Sequence, residues 1–214
     1  MSFEVRFLKA GSGDAILVRF KGKDGKFHNI LVDGGNANMV MENLIPEIGD
    51  LLAKENENLD SIFITHSDND HVLGIESLIH YLRNANQVFR IKNISFNQHY
   101  LIHWYTILES KTPFLFSSNI ENKRKLNSKT TFRLEEFLYE NKFPMNNTLI
   151  LAGNKFSLNK LNLTVISPYN ESLARYWKEE VDQKTKDKIS STTKLSNVKD
   201  EKQLKDLFSF LNDG

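Results

Sequence analysis

The chain has 214 residues, 40% hydrophobic and 26% charged, the composition of an ordinary globular domain with enough apolar side chains for one sizeable core. Twenty-eight Lys and Arg against 27 Asp and Glu leave a net charge of +1, which gives no electrostatic ground for an obligatory nucleic-acid or membrane partner. There is no cysteine, so disulfides and thiolate ligands are excluded and any metal site must be built from imidazole and carboxylate.

Glu4 and Arg6 fall where a signal peptide would need an unbroken apolar stretch, and no later segment is apolar enough to span a bilayer. A soluble, cytoplasmic protein with no membrane partner is expected. Phe3, Val5 and Phe7 alternate with polar residues and predict a strand. A second strand, Ala15 to Phe20, follows the Gly11-Ser12-Gly13-Asp14 turn, and a third, His28 to Val32, ends at Asp33-Gly34-Gly35. Leu44, Ile48, Leu51 and Leu52 recur at helical spacing between Met41 and Ala53, with Pro46 in the first turns. Ser61 to Ile64 reads as a short buried strand, and His71 to Leu82 as a second helix.

Further along, Val88 to Phe96 predicts a strand, and Leu101 to Leu108 and Leu134 to Tyr139 predict helices flanking a polar loop from Ser117 to Thr131. Phe156 to Leu158 and Leu161 to Ile166 are two more strand candidates. The first domain is placed at residues 1–181, an exposed or flexible polar segment at 182–200, and a short terminal helix at 201–214. The fold class expected is α/β, with a mixed, mostly antiparallel sheet and covering helices.

The chemistry concentrates at Thr65-His66-Ser67-Asp68-Asn69-Asp70-His71, on a loop between a strand end and a helix start. His66, Asp68, Asp70 and His71 are four ligand-type side chains within six residues. Imidazole suits zinc, manganese or iron, and carboxylate spreads negative charge between two cations, so the set suits a dinuclear site. A polar loop in which Asp68 or Asp70 caps the next helix would use the same residues, and the residues alone leave both readings open.

The surrounding sequence resembles the metallo-β-lactamase superfamily, and within it the branch related to ComEC-type DNA-uptake proteins. FLKAGSGDAILVRF from Phe7 to Phe20, ILVDGG from Ile30 to Gly35 and LDSIFITHSDNDHVLGI from Leu59 to Ile75 carry the resemblance. It continues more loosely through Ile94-Ser95-Phe96-Asn97 to Leu163-Thr164-Val165-Ile166-Ser167-Pro168. The superfamily's usual motif is His-x-His-x-Asp-His, and Asp68 stands here for its second histidine.

The resemblance implies an αββα sandwich in which His66 and Asp68 hold one divalent ion and Asp70 and His71 the other, with Asp70 also orienting the attacking water. Zinc is the first expectation. Aspartate for histidine makes the first site harder, so manganese and iron become rivals. The implied activity is hydrolysis of an ester or phosphodiester, with a nuclease in DNA handling or antiviral defence leading. The alternative is a non-catalytic binding or regulatory module on an incomplete fold.

Other residues carry two readings each. Asp33 either supports a ligand histidine, as the resemblance implies, or closes a turn with Gly34. His99 stands near the place of a third ligand, a few residues out of register, or is simply packed. His28 and His80 read as structural, and Phe96, Tyr100, Trp104 and Tyr105 as core. Lys123, Arg124, Lys125 and Lys129 are a solvated run, or the backbone contact if the substrate is nucleic acid. The bridging aspartate and late histidine of the resembled family do not appear after Pro168. The expectation is therefore an N-terminal half of the fold with weak metal occupancy, its sheet exposed or covered by a protein partner or second chain.

Overall fold

The computed structural model describes residues 2–53, 56–99, 101–102, 127–179, 181, 183–184 and 186–187. Strands β1 (Phe3–Phe7), β2 (Ile16–Lys21) and β3 (Phe27–Val32) form an antiparallel meander. Two short strands then add in parallel, β4 (Ser61–Phe63) beside β3 and β5 (Ile94–Ser95) beside β4, giving one sheet of order β1-β2-β3-β4-β5. Parallel neighbours need long crossovers. The first holds α1 (Ala37–Met39), a π-turn (Val40–Leu44) and α2 (Ile45–Ala53), and the second holds α3 (Asn69–Asn84).

Strand alternation assigns the two faces of this sheet. Leu17, Leu31, Ile62 and Ile94 stand side by side across β2 to β5, and each is 0% exposed. They meet Ile48 and Leu52 of α2 and Ile75, Ile79 and Leu82 of α3 in the main core. The opposite face receives the hairpin of β6 (Lys155–Leu158) and β7 (Leu161–Thr164), whose Phe156 ring meets Phe63 edge-on at 5.5 Å. Toward the β1 edge that face is open, with Phe3, Val5 and Phe7 at 54%, 41% and 79% exposure.

Helix α4 (Asn127–Glu140) packs Leu134 and Leu138 into the main core and ties Arg133 to Glu76 of α3 at 2.6 Å. Helix α5 (Asn170–Glu179) builds a second, smaller cluster in which Leu173 packs with Leu101, Ile102, Leu149 and Val181.

Several sequence expectations change. Val88 to Phe96 is not one strand: Val88–Arg90 is a 3-10 turn and only Ile94–Ser95 pairs in the sheet. Asn86 leaves α3 at φ 54°, and Arg90 N–H closes a turn on Gln87 at 3.0 Å before the chain can extend. The polar loop expected to reach Thr131 gives way to α4 from Asn127 on, so Lys129 belongs to a helix. Helix α5 was not foreseen. Of the segment 182–200, Gln183, Lys184, Lys186 and Asp187 are helical, and Lys186 is buried with Nζ donating to Lys178 O at 3.1 Å. The terminal helix, most of the helix from Leu101 to Leu108, Tyr100, Trp104, Tyr105 and Lys123 to Lys125 lie outside the described residues. Pro46 has no N–H to offer Glu42, and just before it Ile45 N–H reaches back to Val40 O, which makes the π-turn.

One ion cluster gives the fold a pH dependence. His28 of β3 is held between Asp60, 3.2 Å from Nδ1, and Asp24, 3.2 Å from Nε2. Burial works against the charged imidazolium, but hydrogen bonds to Asp24 and Asp60 and their charges outweigh it, so the His28 pKa is raised. A raised folded pKa contributes stability that is complete below the unfolded value of about 6.5 and is lost as pH rises through the folded value. Urea unfolding should therefore show wild-type stability falling across that interval relative to His28→Gln, and parallel pH profiles would refute the assignment.

Candidate metal centre

The parallel strands β3, β4 and β5 end at the same edge of the sheet, and the site residues follow those ends. Asp33 follows β3, Ile64 to Asp68 connect β4 to α3, whose first turn carries Asp70 and His71, and His99 follows β5. Such an edge is where open α/β sheets form binding crevices.

Asp33 is the hub. It is 2% exposed and adopts φ 56°, a left-handed conformation that aspartate tolerates better than most residues. Its Oδ1 accepts from Thr65 N at 2.8 Å, and its Oδ2 accepts from Thr65 Oγ1 at 2.6 Å and from His71 Nδ1 at 2.9 Å. Because the Thr65 proton goes to Asp33, Thr65 Oγ1 is the acceptor for His66 Nδ1, 2.9 Å away. One carboxylate thus places the proton of both imidazoles on Nδ1 and leaves both Nε2 lone pairs to act as ligands.

Each Nε2 faces one of the motif's carboxylates. His66 Nε2 lies 3.9 Å from Asp68 Oδ2, and His71 Nε2 lies 3.9 Å from Asp70 Oδ1. The two rings sit 3.8 Å apart between centroids, inclined at 49°. His71 is buried, with 9% of its side chain exposed, whereas His66 and Asp68 are at 48% and Asp70 at 33%. Asp70 also lines a cleft of about 280 Å³ with Ser12, Asn36, Asn69 and Leu73. The capping alternative does not account for Asp68: it is the N-cap of α3 by backbone geometry, yet its side chain makes no capping hydrogen bond.

Three glycines let the backbone close around this loop. A Cβ on Gly13 would fall 1.6 Å from Asp70 O, one on Gly34 would fall 2.4 Å from Ile75 N, and one on Gly74 would fall 1.8 Å from Gly34 O. Gly13 and Gly34 read in the sequence only as turn residues; their contact with α3 is a tertiary fact.

His99 is not beside the other two histidines. It is 1% exposed, with Nδ1 donating to Glu135 Oε2 at 3.2 Å and Nε2 3.3 Å from the Tyr176 hydroxyl. It is packed. The His80 ring lies against Phe137, 4.7 Å between centroids and tilted by 42°, and Phe96 is 2% exposed in the core, in keeping with their structural readings.

Among the described residues, Asp33, His66 and His71 each offer a ligand atom within 4.8 Å of the others. Asp33 is engaged by three donors, so it orients the imidazoles, and the Nε2 atoms left by their engaged Nδ1 are the donors toward an ion. Two such imidazoles with two nearby carboxylates fit a divalent cation of borderline or hard character.

The family model of the metallo-beta-lactamase superfamily matches residues 8–141. A match over more than half of the sequence, on this mixed α/β fold and with this donor set, shows that the chain belongs to the metallo-beta-lactamase superfamily. Membership implies a metal-dependent hydrolase. No curated protein matches the chain. No helix among the described residues is long and apolar enough to cross a membrane.

Proposed function

We propose that His66 and Asp68 hold one divalent ion and Asp70 and His71 a second, zinc first with manganese and iron as rivals, and that the protein hydrolyses an ester or phosphodiester in the cytoplasm. The observation that carries this reading is the Asp33 hub, a buried carboxylate that turns two adjacent imidazoles so that their Nε2 atoms lie beside Asp68 and Asp70. Structural histidines do not need that arrangement.

Divalent ions bound there supply Lewis-acid polarisation and make a water easier to ionise near neutral pH. The chain's own contribution is position. Asp70, one-third exposed, would accept a hydrogen bond from the attacking water and hold it toward substrate, and its position on the cleft with Ser12 and Asn36 supports that role. Nucleic acid is the leading substrate, and a role in DNA handling or antiviral defence goes with it. That finer reading rests on the resemblance of residues 7–20, 30–35 and 59–75 to the ComEC-related branch.

Hydrolysis of linear DNA, RNA or a small chromogenic phosphodiester should depend on added zinc or manganese, which the chain takes up weakly. Asp70→Ala should lower that rate by about 10²–10⁴-fold, with urea stability within about 0.5 kcal/mol because the change is at a cleft and not in the core. Normal hydrolysis by Asp70→Ala would remove Asp70 from the role. A folded chain that binds neither ion would favour the non-catalytic module.

A further inference from the structure

We infer that Ser67 is the point at which a hydrogen-bonded chain of Tyr176, His99 and Glu135 fixes the loop carrying His66 and Asp68, making these three positioning residues of the site. The inference rests on reading that loop as the metal site. Asp33 holds the loop from one side, and its contacts reach Thr65 and His71 directly and His66 through Thr65. His66 and Asp68 are each about half exposed, so their own burial does not fix them. They take their direction from the backbone between them.

That backbone is Ser67, and it is held from the opposite side by residues far away in the chain. Thr131 Oγ1 of α4 donates to Ser67 O at 3.0 Å, across 64 positions, and Ser67 Oγ and the Tyr176 hydroxyl of α5 are hydrogen-bonded at 2.9 Å, across 109. The Tyr176 oxygen lies 3.3 Å from His99 Nε2, and Glu135 Oε2 accepts from both His99 Nδ1 at 3.2 Å and His99 N at 2.9 Å. His99, Thr131 and Glu135 are 1%, 3% and 7% exposed. Tyr176 itself is packed on the smaller core of Leu101, Ile102, Leu149 and Leu173.

A buried histidine and glutamate contribute no more stability than apolar side chains of the same volume would, since each must first be desolvated. What such a satisfied network supplies is a unique geometry. Here it directs one phenol onto one serine, and that serine stands between two proposed ligands. Ligand side chains must be held to within about 0.5 Å for tight binding, and loss of an outer hydrogen bond commonly costs about 10–100-fold in metal affinity. Tyr176 acts one bond further out, so the lower end of that range applies.

The test uses Tyr176→Phe, which keeps the ring and its packing, and Ser67→Ala, which removes the same bond from its other end. In the metal-free full chain, amide hydrogen exchange over residues 64–71 should accelerate about tenfold in either variant, while β2 and β3 keep their protection. In titrations with Mn²⁺ alone, each variant should bind about tenfold more weakly than wild type, and the double variant no more weakly than either single one. Exchange at wild-type rates over 64–71, or additive losses in the double variant, would overturn the inference. If the wild type takes up no Mn²⁺ or Zn²⁺ and exchange over 64–71 still accelerates, the metal reading fails and the positioning chain stands.

Discussion

In an Asp33→Asn protein, divalent-ion affinity should fall about 10–100-fold and the unfolding free energy should drop by about 1–3 kcal/mol. The backbone is not the reason, because asparagine accepts the φ of 56° at this position as readily as aspartate does. The side chain is. Asp33 presents two acceptor oxygens to three donors, Thr65 N, Thr65 Oγ1 and His71 Nδ1, in a place that is 2% exposed. An amide has one acceptor and one donor group. If its NH₂ faces Thr65 Oγ1 and His71, the relay reverses: His71 must accept at Nδ1, which moves its proton to Nε2 and closes the lone pair aimed toward Asp70. If it faces Thr65 N, two donors meet in a buried space and the loop opens. Nitrogen-15 spectra of the imidazoles read the tautomers directly, and zinc or manganese titration reads the affinity. Unchanged tautomers together with unchanged affinity would show that Asp33 is only a turn residue.

The distinction between turn and hub marks how far the sequence can be read. The metal loop was legible because its ligand types are contiguous, from Thr65 to His71, and because a β-branched run and an amphipathic helix bracket it. The first three strands and α3 were legible from alternation and from helical spacing. Asp33 was legible as a candidate only, since a residue 38 positions from His71 carries no local sign of which way its carboxylate points. His99 reads more readily as a packed residue than as a ligand out of register, but nothing in its own neighbourhood announces Glu135 or Tyr176. The interval from Val88 to Phe96 has the apolar content of a strand, but Asn86 and the turn to Arg90 spend its first residues on reversing direction. Helix α5 was missed because its charged residues hide the spacing of Leu173 and Tyr176. The general rule is that covalent neighbours can be read, whereas close approaches of distant backbone cannot. Glycine is where that limit is sharpest, because the same residue marks a flexible turn and a crowded contact.

Two glycine-to-alanine changes, both inside helices, should therefore move stability in opposite directions. Alanine normally stabilises a helix interior by about 0.5–1 kcal/mol over glycine, through the smaller entropy it loses on folding. Gly49 lies in α2 with nothing within 4 Å of a built Cβ, so Gly49→Ala should show that gain. Gly74 lies in α3, where its Cβ would fall 1.8 Å from Gly34 O, 2.3 Å from Gly34 C and 2.7 Å from Gly35 O. All three neighbours are backbone and none can rotate away. Gly74 N also donates to Gly35 O, and Gly34 N donates to His71 O, each at 3.0 Å, so the two segments are fastened where they touch. Overpacking of this kind costs about 1–3 kcal/mol after relaxation, which reverses the sign of the helix-propensity gain. Relaxation must come from α3 moving off the end of β3, and α3 carries Asp70 and His71. Gly74→Ala should then lose both stability in urea and affinity for zinc, with Gly49→Ala raising the first and leaving the second alone. Equal stabilisation by both changes would mean that α3 does not lie against the Asp33-Gly34-Gly35 turn, and the geometry of the metal centre would fall with it.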